Sequence, residues 1–236
     1  MKYLKSSKRN VINYMKKILV VCAHPDDETL GLGGTLANYS KKGNEIMVLV
    51  LATGQFTRDD STKGITKRKN QCKKACSILG INKIKFLEYK DQNLEFIPLT
   101  EITKKIEVEI NNWKPSIIYT HFWEDANQDH RRTYEAVLVA TRPTAEFFVN
   151  KVICFETPSS TDWAKNNSYF NPNLFVDISD VVNKKIKAFS QYKNEIQKYP
   201  ASRSKESLLT RAQYWGSKIG VNAAESFVIL REIGNN

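Results

Sequence analysis

The chain has 236 residues, 41% of them hydrophobic, and a formal net charge of +11. That length suits one α/β domain rather than two, and that apolar content excludes an intrinsically disordered chain. The lysines are spread along the chain without a block or a recognition motif, so the charge favours an anionic small molecule over nucleic acid.

Residues 1–14 read as a peripheral or disordered extension ahead of a single domain over 15–236. Ile18–Cys22 is a continuous apolar run that predicts a buried parallel strand. A helix over Gly31–Lys42 follows, closed by Gly43 and Asn44. Glu45–Ala52 predicts a second strand, Thr53–Gly64 a loop, and Thr66–Leu79 a helix. Lys83–Glu88 predicts a third strand and Thr100–Trp113 an amphipathic helix. Ser116–Thr120 predicts a fourth strand and Arg131–Thr141 a helix that stops at Arg142-Pro143. Lys151–Glu156 predicts a fifth strand. Thr157–Asn173 reads as a long surface loop that carries Trp163 and Tyr169. A long helix over Asp180–Tyr199, another over Ser204–Lys218 and a short strand over Phe227–Arg231 complete the chain.

This alternation predicts an α/β, Rossmann-like three-layer sandwich with a mostly parallel sheet. Cys22, Cys72, Cys76 and Cys154 form no C-x-x-C pair and read as buried thiols, which points to a reducing, cytoplasmic setting. No run reaches the apolar length of a membrane span.

In such sheets, ligands bind beyond the carboxyl ends of the strands. The loop after the first strand is Ala23-His24-Pro25-Asp26-Asp27-Glu28. Helix capping accounts for one acid there, but not for three beside a histidine. The other two histidines, His121 and His130, flank the loop after the fourth strand. If the two strands are neighbours, His24, Asp27 and His130 make a three-ligand metal site with an open position, as catalytic sites require. Zn²⁺ suits these ligands, and Fe²⁺ fits them too.

At these residues the chain resembles the PIG-L/LmbE-like deacetylase family. Its signature, AHPDDE followed by T-L-G-x-G-G-T-L, stands at residues 23–36. Arg68, Phe86-Leu87 and Asp91-x-x-Leu94 extend the match, and Glu156-Thr157-Pro158 and Ala224-Glu225-Ser226-Phe227 carry it into the final third.

The resemblance implies an LmbE-like fold and removal of an N-acetyl group from a GlcNAc-type sugar. It makes His24, Asp27 and His130 the metal ligands and Asp26 the general base. Arg68 would bind a substrate hydroxyl or phosphate, and Asp129 would orient a neighbouring histidine. The family's second motif, H-P-D-H, is here Asn127-Gln128-Asp129-His130. Asn127 therefore replaces a histidine expected to stabilise the charged intermediate, and His121 is the candidate substitute. The partner expected is a small amino-sugar substrate, with homo-oligomerisation open. The competing reading is a non-catalytic module holding a sugar or nucleotide at the same metal site.

Overall fold

The computed structural model describes residues 15–53, 62–164 and 169–234. The extension at 1–14 and the middles of two expected loops lie outside them. The strands are β1 (Lys17–Cys22), β2 (Glu45–Ala52), β3 (Lys83–Tyr89), β4 (Ile117–His121), β5 (Lys151–Phe155), β6 (Leu174–Asp177) and β7 (Ala224–Glu232). The helices are α1 (Asp27–Lys41), α2 (Thr62–Leu79), α3 (Leu99–Trp113), α4 (Gln128–Ala140), α5 (Val182–Phe189) and α6 (Lys205–Ile219).

Among the described residues, the strands form one sheet in the order β3-β2-β1-β4-β5-β7-β6. The first five strands in that order pair in parallel, and β7 is antiparallel to both β5 and β6. The strand order reverses between β1 and β4, which opens a crevice at their carboxyl ends.

Alternation along β1 splits the core. Ile18, Val20 and Cys22 pack under α1, α2, α5 and α6. Leu19 and Val21 pack under α3 and α4. The result is the three-layer sandwich expected from the alternating pattern. All four cysteines are buried free thiols. No helix of the described residues is long and apolar enough to cross a membrane.

Several elements depart from the sequence reading: α2 starts at Thr62 instead of Thr66, and α4 at Gln128 instead of Arg131. The first helix starts at Asp27 instead of Gly31, and it bends at Leu32, where φ is −146°. The bend frees the N–H groups of Gly34 and Thr35, and the Glu225 carboxylate accepts both, at 2.9 and 2.7 Å. Lys185 neutralises that buried carboxylate at 2.7 Å. The glycines of this helix allow close packing: a Cβ on Gly31 would lie 2.4 Å from the Phe155 ring, and one on Gly34 2.7 Å from Ile178.

The expected helix over Asp180–Tyr199 ends at Phe189. Beyond it, Tyr192 and Glu195 turn inward to Glu28 and Arg68, so polar partners interrupt the apolar period. The edge strand β6 escapes the pattern because it has only four residues, three of them half-buried. The last strand begins three residues early, at Ala224, since Glu225 and Ser226 are polar yet buried.

Candidate active site

The crevice between β1 and β4 gathers the three histidines. His24 lies two residues beyond β1, His121 is the last residue of β4, and His130 lies in the first turn of α4. His121 and His130 stack with ring centroids 3.9 Å apart, and His24 lies 5.3 Å from His130. Asp27 sits among them. Ligand atoms of His24, Asp27 and His130 all lie within 4.8 Å of one another.

None of the three acids after Pro25 caps α1 with its side chain. Asp27 Oδ2 accepts the His24 N–H at 2.8 Å. Glu28 Oε2 accepts the Asp26 N–H at 3.0 Å, and Glu28 Oε1 accepts the Tyr192 hydroxyl. Asp26 holds a backbone φ of +115°, a conformation that costs a non-glycine residue free energy and that is concentrated at functional sites.

Asp27 Oδ1 and His130 Nε2 carry the clearest chemical signal. They face each other at 3.5 Å, both buried and both without a hydrogen-bond partner. On the far side of His130, Asp125 Oδ1 lies 3.1 Å from Nδ1. The Nδ1 proton goes to Asp125, which leaves a bare lone pair on Nε2 pointing at a carboxylate oxygen. Two buried acceptors aimed at each other are satisfied by a cation between them.

Asp125 was not picked out from the sequence, where it is one acid among several in a polar loop. It is fully buried, and it also accepts from Asn127 N, Ser160 Oγ and Thr161 Oγ1 at 2.8, 3.1 and 2.6 Å. Burial works against its charge, but His130 and Thr161 bring its pKa down.

Asp129 meets a histidine, as expected, and that histidine is His24. Its Oδ2 lies 3.0 Å from His24 Nε2, and its two oxygens also accept the Gln92 and Leu94 N–H groups. Asp91, in the loop after β3, meets the same Nε2 at 2.7 Å. His24 therefore has Nδ1 left for the Asp27 side.

Arg68 and His121, both given roles toward the substrate or the intermediate, are buried. Arg68 is 5% exposed. Its guanidinium is used internally, on Asp26 Oδ2 at 3.0 Å, Pro25 O at 2.7 Å and Glu195 Oε1 at 2.5 Å. His121 has no exposed surface. Its Nε2 accepts the Ala23 N–H at 2.9 Å, and its Nδ1 lies 3.3 Å from Thr157 Oγ1. Burial lowers its pKa to about 4.

Asn127 caps α4: its side-chain oxygen accepts the Asp129 N–H at 2.9 Å. Its amide nitrogen is the group it can offer the crevice.

Arg203 was also missed by sequence reading. Its NH1 meets Asp26 Oδ2 at 3.0 Å and Glu195 Oε2 at 2.9 Å, while Nε meets Ser159. Two arginines thus clamp one oxygen of Asp26. Burial raises the Asp26 pKa against their pull.

Residues 19–141 match the PIG-L family, described as GlcNAc-PI de-N-acetylase. The diacetylchitobiose deacetylase of Thermococcus kodakarensis is 30% identical over 90% of this chain and 82% of its own length. The uncharacterized deacetylase YaiS of Escherichia coli is 32% identical over 76% of this chain and 91% of its own. Among solved structures, the conserved protein TT1542 of Thermus thermophilus superposes with a TM-score of 0.75 at 26% identity, covering 94% of this chain and 98% of that one. The protein belongs to the PIG-L family, GlcNAc-PI de-N-acetylase, and is an amide-cleaving hydrolase of the deacetylase type.

Proposed function

We propose that the protein removes the N-acetyl group from a GlcNAc-type amino sugar or its conjugate, releasing acetate and the free amine. Asp26 is the general base, and a divalent cation, Zn²⁺ or Fe²⁺, is held by His24, Asp27 and His130. The observation that carries this reading is the facing pair of unpartnered atoms, Asp27 Oδ1 and His130 Nε2. The diacetylchitobiose deacetylase relative supports a sugar acetamide as substrate.

When bound, the cation lowers the pKa of a water and polarises the acyl oxygen. The chain supplies the rest. Asp125 and Asp129 fix the rings of His130 and His24. Arg68 and Arg203 converge on Asp26 Oδ2, which leaves Oδ1 to take the water's proton. The water oxygen bonds to the carbonyl carbon, and the Asn127 amide donates to the oxygen where negative charge develops. The C–N bond then breaks, and Asp26 returns its proton to the departing amine.

Acetate release from a panel of N-acetylated amino sugars, with metal content measured alongside, tests the reading. Activity is expected to vanish on exhaustive chelation and to return with Zn²⁺ or Fe²⁺. Saturating metal is also expected to raise Tm by about 5–10 °C, the effect of about 2.7 kcal/mol at a hundredfold excess over Kd. Full turnover by chelated protein, or no acetate from any sugar by metal-loaded protein, refutes it.

A further inference from the structure

Helix α2 is strongly basic: it carries five lysines and Arg68, and no acid. Arg68 faces inward to Asp26, and Lys69 pairs with Glu88. Lys63, Lys67 and Lys74 share one face at helical spacing, with Asn70 between them and Gln71 at the buried edge. That face lines a cavity of about 580 Å³. The opposite wall is the chain after α5, through Gln191 and Lys193. The two walls are fixed to each other. Arg68 pairs with Glu195 at 2.5 Å, and its guanidinium lies 5.3 Å from the centre of the Tyr192 ring.

Two features separate this cavity from an ordinary solvated face. The first is unbalanced charge. No acid lines the cavity, and Lys63, Lys67, Lys74 and Lys193 make no ion pair among the described residues. Lys85, Lys151 and Lys185, by contrast, meet carboxylates at 2.6, 2.9 and 2.7 Å. Ammonium groups gathered around a concavity raise its potential, and an anion lowers it. The second is Gln71. It is 9% exposed and lines the cavity, and its carboxamide has no hydrogen-bond partner among the described residues. A buried amide with nothing to bond is stabilised by a ligand that supplies the partner.

The volume lies within the range of about 300–1,000 Å³ typical of small-molecule sites, and a concavity suits such a ligand better than a duplex or a bilayer. Lysine binds phosphate as a point charge. Four ammonium groups are matched by about two phosphate groups, each carrying about −1.5 to −2 at neutral pH. The carboxamides of Asn70, Gln71 and Gln191 both donate and accept, which suits a hydroxylated or heterocyclic body.

We infer that this cavity binds a small organic molecule bearing two phosphate groups. None of its lining residues belongs to the crevice of His24, Asp27 and His130, and the inference does not depend on the proposed deacetylation.

Calorimetry on the full, metal-loaded chain tests it, with ADP and fructose bisphosphate as probes and inorganic phosphate beside them. One probe molecule per chain is expected to bind, more tightly than inorganic phosphate. The better-bound probe tells whether the phosphates come on a nucleoside or on a sugar. The paired substitution Lys67→Gln and Lys74→Gln, at exposed positions, is expected to weaken binding about tenfold or more, the scale of lost charge-assisted hydrogen bonds. A second pair, Lys41→Gln and Lys104→Gln, removes the same net charge from exposed lysines outside the cavity and is expected to leave affinity within about twofold.

The inference is overturned if neither probe saturates at millimolar concentration, or if both pairs of substitutions weaken binding equally. It is overturned if the Lys67 and Lys74 pair binds as wild type does, which places the probe on the metal. Inorganic phosphate binding as tightly as the probes overturns it too, leaving a site for a single anion. So does retention of single-stranded DNA or phosphatidylserine vesicles through Lys67 and Lys74 without binding of the small probes, which makes the face a surface for a large polyanion.

Discussion

Replacing Asp125 with asparagine probes a residue that reaches the chemistry only through His130. The carboxylate is fully buried and serves two sets of donors. Oδ1 takes His130 Nδ1 at 3.1 Å and Asn127 N at 2.8 Å. Oδ2 takes Thr161 Oγ1 at 2.6 Å and Ser160 Oγ at 3.1 Å. Asparagine keeps the volume. With its oxygen at the Oδ1 position, His130 and Asn127 keep their acceptor, and the two hydroxyls rotate to accept from the new amide. What disappears is the negative charge behind His130, which makes Nε2 a poorer ligand. A hydrogen bond to an ionised partner is roughly twice as strong as a neutral one, and loss of such a support weakens metal binding by about 10–100-fold. That corresponds to about 1.4–2.7 kcal/mol. Alanine is the wrong choice, since it strands a backbone N–H and two hydroxyls at about 1–3 kcal/mol each. Competition against a chromophoric chelator reads the Zn²⁺ affinity, and a melt of the metal-free protein checks the fold. A folded Asp125→Asn protein that binds Zn²⁺ within about twofold of wild type refutes the orienting role.

Asp26→Asn is expected to retain its metal and lose about 10²–10⁴ in kcat; near-normal turnover with bound metal removes Asp26 as the base. Glu225→Gln leaves Lys185 buried without its counter-charge, which costs about 3 kcal/mol and lowers Tm by about 6–12 °C in a thermal melt. Glu28 supplies a pH test on metal-free protein. Burial raises its pKa from 4.5 to about 8, despite the Tyr192 hydrogen bond. The folded state therefore binds this proton more tightly than the unfolded chain does, so its contribution to stability is present at low pH and is lost as pH rises through that window. Glu28→Gln is expected to flatten the decline in stability between those two pH values, read by denaturant titration.

The elements legible in the sequence were those with one dominant signal. β1, β2 and β4 are buried runs of apolar residues, and no competing force obscures them. The elements misread were those where a polar partner from elsewhere overrides the local pattern, as Glu28 and Arg68 do for the chain after Phe189. The same division runs through the site. Imidazoles are rare here and border the loops after β1 and β4, so their convergence could be read once those strands were taken as neighbours. Asp125 could not be separated from Glu124 and Asp129 by residue type. The ion pair of Arg68 with Asp26 could not be read, since a helix arginine looks the same in sequence whether it faces solvent or a buried acid. Arg203 lies 177 residues from its partner, with no motif around it.

The distribution of these supports along the chain bears on how the site works. The matched span, residues 19–141, contains His24, Asp27 and His130 and the acids that orient them. What holds Asp26 comes largely from beyond it. Arg203 and Glu195 belong to the stretch between α5 and α6, Tyr192 engages Glu28 from the same stretch, and Glu225 on β7 secures the bent helix that starts at Asp27. The unfavourable backbone at Asp26 persists because these contacts over-determine it. On the proposed mechanism, metal binding and placement of the base are thus carried by different parts of one chain. Changes in the last third are expected to leave the ligands in place while shifting Asp26, and so to alter turnover before they alter whether a metal binds.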